Sequence, residues 1–490
     1  MSVSYKSTYS GVLLKTRAWY VPSKNNSMQL KKLIFRSTMI LLLLGIAYIV
    51  FYCWRSFPIV AGFGAKDLCS CIFVAGRSEA DVKAQELADF PFTLANYEVN
   101  VQDSSVVGRV WGVARRKAIF RKGIGCTLVN DLTESSIRQQ AIQIPSVPTI
   151  NTDSIPWPNG DLLPDSFPAA LDKETLNAAV DAAFAEPDST KKRRTRAVVV
   201  LYDGQLVAEK YAKGYDRHSP LHGWSMAKSF IGAMIGILVK ENKLNLNSPA
   251  PVAAWKNGDS RHAITLEQLL QQTSGLDFVE DYGGFSDVTN MLFNKGDMVA
   301  YAEGRPLKHP PGTYFNYGGG NSNILSGILR STVGDEEYHS FPFTKLFGKI
   351  GMHSAVLERD AAGNYVTSSY IFATARDYAR FGLLYYNNGK WKDDQILPAD
   401  WVARTRIPPA SNQLHDYGYQ FWTKGLDHHP PHEPNFPDVP DDLYYADGYA
   451  YQEIYIIPSK KLVVVRLALT LDRSFDENKF LKDVISSIKK

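Results

Sequence analysis

The sequence lacks the motifs of several large enzyme classes. It contains no glycine-rich phosphate loop and no dinucleotide-binding fingerprint, which argues against a nucleotide-dependent enzyme. The formal net charge of +4 is modest for 490 residues, and the basic run KKRRTR at 191–196 fits a solvated face better than a nucleic-acid or lipid site. The histidines of HHPPHEP, which are His428, His429 and His432, lack helical or strand spacing. We therefore expect no metal, no cofactor and no nucleic-acid partner.

The chain also has only four cysteines, so a disulfide-rich scaffold is excluded. Cys53 lies in an apolar segment, and the remaining three allow at most one disulfide among themselves. Cys126 paired with Cys69 or Cys71 would suit an oxidising compartment, and Cys69–Cys126 is the candidate bond. A metal site of three thiols is the weaker alternative, because no fourth ligand stands at an obvious spacing.

Acidic residues are missing from the N-terminal part of the chain. No Asp or Glu occurs before Asp67, whereas seven Lys or Arg residues lie within 1–36. Residues 37–54 are uncharged, which is just long enough to cross a bilayer core of about 30 Å, and they end in an aromatic group of Tyr48, Phe51, Tyr52 and Trp54. This pattern predicts a single transmembrane helix over 37–54, a cytoplasmic tail over 1–36, and a periplasmic or extracellular remainder.

Two other interpretations of the apolar segment remain open. A cleaved signal peptide would need an unusually long basic region, and no A-x-A cleavage site follows the apolar run. A buried core helix is the second alternative, and the flanking basic residues argue against it.

The rest of the chain divides into three parts. Residues 60–145 carry no catalytic motif, and we expect there a helix within 78–90, capped by Ser78, and two or three short strands. Residues 146–168 are rich in Pro, Ser, Asn and Asp, which indicates an extended linker. Residues 169–490 then form the main domain.

The main domain shows two clear β-hairpins. RAVVVLYDGQLVAEKYAKGY turns at Asp203-Gly204, and QEIYIIPSKKLVVVRLALT lies near the C-terminus. The chain between them has mostly helical patterns. We therefore expect an α+β fold whose antiparallel sheet is assembled from both ends of the domain.

The stretch HGWSMAKSF at 222–230 carries the candidate chemistry. The Ser-x-x-Lys pattern is a weak indication of function by itself, because the chain contains it four times: Ser189/Lys192, Ser225/Lys228, Ser486/Lys489 and Ser487/Lys490. Only Ser225 opens a run that is apolar on nearly all sides, which predicts a core helix with Lys228 beside Ser225 on its first turn. Burial lowers a lysine pKa toward that of a usable base, and a helix N-terminus stabilises developing negative charge.

Two alternatives apply to this stretch. A capping serine and a snorkelling lysine would give the same pattern without chemistry. Gly223-Trp224-Ser225-Met226-Ala227 also resembles a nucleophile elbow, but GYDRHSPLHGW before the serine cannot be the buried strand that an α/β-hydrolase needs there.

Three motifs in order carry a family resemblance. GWSMAKSFIGAMIGILV, LEQLLQQTSGLDF at 266–278 and HPPGTYFNYGGGNSNILSGIL at 309–329 resemble the serine β-lactamase-like, or penicillin-binding-protein-like, hydrolases. The likeness covers about residues 190–475 and is closest to class C β-lactamases, their esterase relatives and 6-aminohexanoate-dimer hydrolases. It implies an antiparallel sheet flanked by helices, an α/β sandwich, beside a mainly helical subdomain.

The resemblance also implies a tyrosine that shuttles protons with the lysine. Tyr314 matches the literal Tyr-x-Asn pattern, whereas Tyr317 matches the family's spacing from the Pro-Pro-Gly-Thr turn, and we predict Tyr317. Gly319 stands where the family often has Asn or Ser. Asn321 is the candidate to replace that amide contact.

The family's third element is a strand that edges the site and often carries a Lys or His. Here Gly448, Tyr449 and Ala450 take that place, and Asp447 precedes them without any cation. An anionic substrate would lose its charge-assisted bond there, so we expect neutral or amine-bearing amides or esters rather than penicillins or cell-wall peptides. The oxyanion hole would combine the backbone N–H of Ser225 with one near Ala450 or Tyr451.

Further pocket residues are predicted on weaker grounds, namely Trp224, Asp281, Tyr282, Tyr417 and Trp422. Together the patterns predict a membrane-anchored serine hydrolase that cleaves a small-molecule ester or amide through an acyl-enzyme on Ser225. The alternatives are a β-lactamase or D-alanyl-D-alanine peptidase, and a non-catalytic relative that only binds a ligand.

Overall fold

The computed structural model describes residues 24–145, 151–188, 190–256, 258–428, 431–472 and 474–489, with the backbone alone for 24–27. It contains two compact units, Met1–Trp54 and Arg55–Lys490, and each is described by itself. Much of the predicted tail, the start of the predicted linker (146–150), Ser189 and His429 lie outside the described residues.

The first helix, α1 (Lys24–Phe73), is much longer than the predicted span over 37–54. Its most apolar window has a mean hydropathy of 2.2 and is entirely unburied, so a core helix is wrong there, while an anchor and a signal sequence both fit. In the second unit the same helix continues and buries Ala65 and Leu68 in the core. The sequence hides this change because both parts are apolar and helical.

The region before the main domain is built on a small antiparallel sheet. Its elements are α2 (Glu79–Gln85), β1 (Ala95–Asn100), β2 (Ser105–Val110), β3 (Ala114–Arg121), β4 (Gly125–Leu128) and α3 (Glu134–Arg138). Ser78 caps α2 as predicted, and the sheet, in the order β1-β2-β3-β4, has one strand more than the two or three expected. A Cys69–Cys126 disulfide joins α1 to β4, which confirms that pair over Cys71.

The remaining elements follow in chain order: α4 (Lys173–Ala183), β5 (Thr195–Tyr202), β6 (Gln205–Tyr211), β7 (Leu221–His222), α5 (Ala227–Lys240), α6 (Leu266–Leu270), α7 (Asp287–Asn294), α8 (Met298–Glu303), α9 (Gly319–Tyr338), β8 (Val356–Leu357), β9 (Ile371–Ala373), α10 (Ala375–Tyr386), β10 (Lys390–Trp391), β11 (Asp394–Gln395), α11 (Trp401–Thr405), β12 (Trp422–Thr423), β13 (Tyr444–Gly448), β14 (Gln452–Ile457), β15 (Leu462–Ala468) and α12 (Glu477–Ser486).

The main sheet has six antiparallel strands in the order β12-β13-β14-β15-β5-β6. Strand β15 pairs with β5, so the sheet does join both ends of the domain, and both predicted hairpins are confirmed. Side chains alternate along each strand, so the two faces of the sheet pack against two different cores. Val198 and Val464 face a core shared with α4 and α12, while Val199 and Val463 face the large core that contains α10. The α+β prediction is confirmed.

The segment before α4 packs onto this domain. Trp157 Nε1 donates to the carbonyl of Gly204 at 2.8 Å, and Arg380 donates to the carbonyl of Pro158 at 2.8 Å. The described part of the predicted linker is therefore held by a main-chain carbonyl at the β5–β6 turn and by a side chain on α10.

Candidate active site

The candidate nucleophile lies on a short turn that feeds the buried helix α5. Residues Trp224–Met226 form a turn of 3₁₀ helix, and α5 follows at once. Trp224 has a φ of 46°, a left-handed conformation that is uncommon for a large side chain and is typical of strained functional sites. Ser225 stays partly exposed while nearly all of α5 is buried. The apolar run thus fixes the serine at the edge of the core.

Lys228 is buried beside this serine, being only 1% exposed. Its Nζ donates to Ser225 Oγ at 3.0 Å and to the carbonyl oxygen of Ser368 at 2.9 Å. Burial lowers the pKa of Lys228, and the carboxylates of Glu280 and Asp447 partly oppose that effect. The amine therefore lies at the serine oxygen as the candidate base.

Tyr317 lies on the other side of the lysine, just before α9. The Lys228 Nζ is 4.8 Å from the centre of the Tyr317 ring, and the Ser225 hydroxyl is a hydrogen-bond partner of the phenol. Burial, with Tyr417 and Glu280 nearby, raises the pKa of Tyr317 well above its ordinary value, so the phenol holds its proton. Tyr314 is 50% exposed and stacks on His309 at 4.3 Å. The structure therefore brings Tyr317, and not Tyr314, to Ser225 and Lys228.

Glu280 is the site residue that the sequence analysis missed. Its Oε1 lies 3.7 Å from Lys228 Nζ, and its Oε2 accepts the backbone N–H of Gly319 at 2.8 Å. The carboxylate thus links the lysine to the start of α9, next to Tyr317. A side chain on Gly319 would lie 3.0 Å from Ser368 Cβ, so Ser368 would have to shift to admit it. One signal was present, since Glu280 directly precedes the predicted pocket residues Asp281 and Tyr282.

Asn321 lies on the first turn of α9 and hydrogen-bonds to side chains of the same domain. It accepts from Ser274 Oγ at 2.7 Å and donates to Gln272 Oε1 at 2.7 Å, and it is 7% exposed. Gln272 Oε1 also accepts the N–H of Gly318 at 3.2 Å. Gln272 and Ser274 thus bind the Asn321 amide inside the domain, and its contact with a substrate stays a prediction.

The end of β13 packs against the start of the turn that carries Ser225. A side chain on Gly448 would lie 2.2 Å from the carbonyl oxygen of Gly223, so only glycine allows this approach. Tyr449 packs edge-on against Trp224 with ring centres 5.5 Å apart. Ala450 and Tyr451 follow with φ of 64° and 66°, which turns the chain tightly into β14. The strand backbone predicted for the oxyanion hole thus lies at the serine turn.

The other predicted pocket residues divide into two groups. Tyr417 and Trp422 pack on Tyr317, with ring centres 5.5 Å and 5.1 Å from it. Tyr282 is 51% exposed but donates its hydroxyl to Glu280 at 3.0 Å. Asp281 is exposed and accepts the N–H of Gly283 at 2.8 Å, which shapes its own loop.

Neither described histidine of the HHPPHEP segment is part of the serine site. His428 pairs with Asp416 at 2.7 Å, and His432 Nδ1 lies 2.7 Å from the carbonyl oxygen of Asp427. Within the described ranges, no group of three His, Cys, Asp or Glu side chains is arranged to hold a metal ion.

Comparison with known proteins shows what the main domain is similar to. Residues 180–483 match the family described as Beta-lactamase. A 6-aminohexanoate-dimer hydrolase from Paenarthrobacter ureafaciens is 25% identical over 285 residues, which span 53% of this chain and 71% of that protein.

Two solved structures share the fold. A candidate 6-aminohexanoate-dimer hydrolase from Bacillus anthracis has a TM-score of 0.53 at 22% identity and covers 67% of this chain and 87% of its own. A candidate β-lactamase from Bacteroides dorei DSM 17855 has a TM-score of 0.51 at 18% identity, and the match covers 65% of this chain and 99% of that one.

The fold and the family match together define a serine hydrolase of the esterase or amidase type. The matched range exceeds half of the 490 residues, and the chain belongs to the β-lactamase family. The resemblance inferred from the motifs is thereby confirmed.

Proposed function

We propose that this hydrolase cleaves an ester or amide bond through an acyl-enzyme on Ser225, with Lys228 and Tyr317 as proton-transfer groups. The observation that carries the proposal is the 3.0 Å hydrogen bond between Lys228 Nζ and Ser225 Oγ, made by a lysine whose pKa burial lowers. A neutral amine at that place accepts the serine proton as Oγ attacks.

In the acylation step, Ser225 Oγ forms a bond to the acyl carbon and its proton passes to Lys228. The carbonyl electron pair moves to oxygen, where the backbone N–H groups of Ser225 and of Ala450 or Tyr451 stabilise it. Tyr317 donates its phenol proton to the leaving oxygen or nitrogen as the scissile bond breaks. The Lys228 ammonium then returns a proton to the Tyr317 phenolate.

In the deacylation step, water adds to the acyl carbon while Lys228 accepts one of its protons. The bond from that carbon to Ser225 Oγ breaks, and the proton returns to Oγ. The acid product leaves, and each of the three side chains regains its starting protonation state.

The substrate is expected to be neutral or amine-bearing. Asp447 stands at the strand position where the resemblance predicts a Lys or His in relatives that hold an anionic group. A carboxylate at this position repels a substrate carboxylate, so penicillins and cell-wall peptides are disfavoured.

We further propose that part of α1, over residues 37–54, anchors the protein in a membrane. The basic residues within 1–36 then lie in the cytoplasm, and the hydrolase unit faces the periplasm or the exterior. The Cys69–Cys126 disulfide supports this orientation, since such bonds persist in oxidising compartments. Protease accessibility in spheroplasts, whose cytoplasmic membrane is intact, tests it: a hydrolase unit that stays protected until this membrane is permeabilised would contradict this orientation.

The test of the hydrolase proposal is acid quenching during turnover of nitrophenyl esters, followed by intact mass measurement of the full-length chain in detergent. We expect an acyl adduct that disappears in Ser225→Ala and persists in Ser486→Ala. Ser486 is a matched control because it belongs to an exposed Ser-x-x-Lys sequence near the C-terminus. A stable penicillin adduct on Ser225 would instead favour the penicillin-recognising branch of the family, and undiminished turnover in Ser225→Ala would contradict covalent catalysis through Ser225.

A further inference from the structure

The turn between β2 and β3 presents two apolar side chains to solvent. Trp111 is 68% exposed and Val113 is 66% exposed, whereas Val110 and Ala114 at the strand ends are buried. Two such side chains at the tip of one turn form a small apolar patch. Patches of this kind mark contact with a partner or a membrane more often than single exposed apolar residues do.

The backbone of this turn is one that tryptophan rarely adopts. The carbonyl oxygen of Val110 accepts the Val113 N–H at 3.0 Å. The two central residues, Trp111 and Gly112, have φ of 48° and 73°. Asn-Gly is the pair that suits such a turn, because both positions lie in the left-handed region. Trp111 gives this turn no conformational advantage, which points to a role for its side chain outside the chain.

The turn is attached to α1 just after the predicted membrane span. Trp111 lies edge-on to Phe57, with ring centres 5.1 Å apart. Val110 shares a small core with Val60 of the same helix. Phe57 follows the end of the predicted span, 37–54, by three residues, which reach at most about 11 Å. Because a bilayer has interfacial layers of about 5–8 Å beside its hydrocarbon core, the turn is within reach of the lipid head groups.

The charges beside the turn favour an anionic surface. Arg109 and Arg115 stand directly opposite each other on β2 and β3, so their side chains share one face of the sheet. Glu98 pairs with Arg109, whereas Arg115 is exposed and has no ion-pair partner among the described residues. Like charges placed opposite each other are unfavourable, and an anion from outside the chain relieves that repulsion. Lipid phosphates are such anions.

Contact at this turn would also hold the reaction centre close to the bilayer. Phe57 and Phe63 are six residues apart on α1, which is about 9 Å of helix. The Phe63 ring stacks on that of Trp224, with ring centres 6.0 Å apart, and Trp224 directly precedes Ser225. The β2–β3 turn and the nucleophile turn are therefore attached to the same short stretch of one helix.

We propose that the turn Trp111–Val113 docks on the outer surface of the membrane that anchors the protein, with Trp111 in the interfacial layer and Arg115 on lipid phosphate. The inference rests on the proposed anchor and adds a second contact, made by the hydrolase unit itself. Tryptophan is enriched in this layer and arginine binds phosphate well. The bilayer is favoured over a protein partner, because the patch is only two side chains wide and lies beside the predicted span.

Lipid quenching of a fluorophore tests the docking on the full-length protein in nanodiscs. Two exposed valines near opposite ends of β2 make a matched pair, Val113 at the proposed contact and Val101, which is 68% exposed. Each is replaced, as Val113→Cys or Val101→Cys, in a Cys53→Ser background and labelled with bimane. The Cys53→Ser protein alone measures any label on the buried Cys71. Quenching by a nitroxide on the lipid head group should be about threefold or more stronger for Val113→Cys, because β2 separates the two positions by about 20 Å.

Two variants assign the contact to its parts, both read with the label at Val113→Cys. Trp111→Ser should lower the quenching by about half or more, because the interfacial ring is lost. Arg115→Gln should remove the additional quenching that phosphatidylglycerol gives over phosphatidylcholine alone. Lys122→Gln is the matched control, because it removes an exposed basic side chain beyond the far end of β3, and it should change neither result.

The outcomes separate the docking from the anchor. Equal quenching at the two valine positions would overturn the docking and leave the anchor standing. Protection of the Val113→Cys label from aqueous iodide, without quenching by lipid, would show that a protein surface covers the turn and would overturn the bilayer as its partner. Release of the full-length protein from cell membranes by alkaline carbonate would contradict the anchor and remove the docking with it.

Discussion

Glu280→Gln tests directly whether the Glu280 carboxylate raises the pKa of Lys228. The carboxylate lies 3.7 Å from Lys228 Nζ and stabilises the ammonium form. At this distance a pair of unit charges interacts by about 4 kcal/mol where the effective dielectric constant is about 20, an upper bound on the effect. Glutamine keeps an oxygen that accepts the Gly319 N–H, so the loop should hold its shape.

The sign of the effect follows from this geometry. Without the negative charge, the pKa of Lys228 falls further, and the neutral base exists at lower pH. The rise of kcat/KM with pH should therefore move to lower pH by about one unit or more. Hydrolysis of a nitrophenyl ester and the rate of fluorophosphonate labelling, both followed against pH, should shift together.

The control for this profile is Glu336→Gln, which removes an exposed carboxylate from α9. Its profile should coincide with that of the native protein. An unchanged or upward-shifted rise in Glu280→Gln would refute the view that Glu280 stabilises the Lys228 ammonium and that the lysine acts as the base.

Three further predictions follow from the packing. Tyr317→Phe should lower kcat/KM by about a hundredfold or more through loss of the proton donor, whereas Tyr314→Phe should stay near the native value; equal loss in both would contradict the assignment. Gly448→Ala should abolish activity, because its side chain would meet the main chain of the nucleophile turn at 2.2 Å, and an active variant with a native melting temperature would contradict this. Cys69→Ser should cost about 2–4 kcal/mol of unfolding free energy in denaturant titration; no loss would show that the bond to Cys126 is not formed.

Local patterns were enough to predict much of this molecule. The β5–β6 hairpin follows from the valine-rich run before Asp203-Gly204 and the apolar residues after it, and Ser225 stands out because an apolar helix begins beside it. Both signals lie within a few residues of the chain, where periodicity is informative.

Other features depend on distant contacts that sequence patterns do not encode. Glu280 approaches Lys228 from a loop about fifty positions away, and its neighbours in the sequence gave no reason to prefer it to Asp281. The choice of Cys69 over Cys71 depends on which face of α1 meets β4. Asn321 has the right residue type, but its amide is satisfied inside the domain.

The central claim is that Ser225 is the nucleophile, and fluorophosphonate labelling of the full-length protein tests it most directly. Intact mass followed by peptide mapping should find one adduct, on the peptide that contains Ser225. The adduct should be absent in Ser225→Ala and unchanged in Ser486→Ala. A folded protein that remains unlabelled, or that is labelled at another serine, would contradict the account.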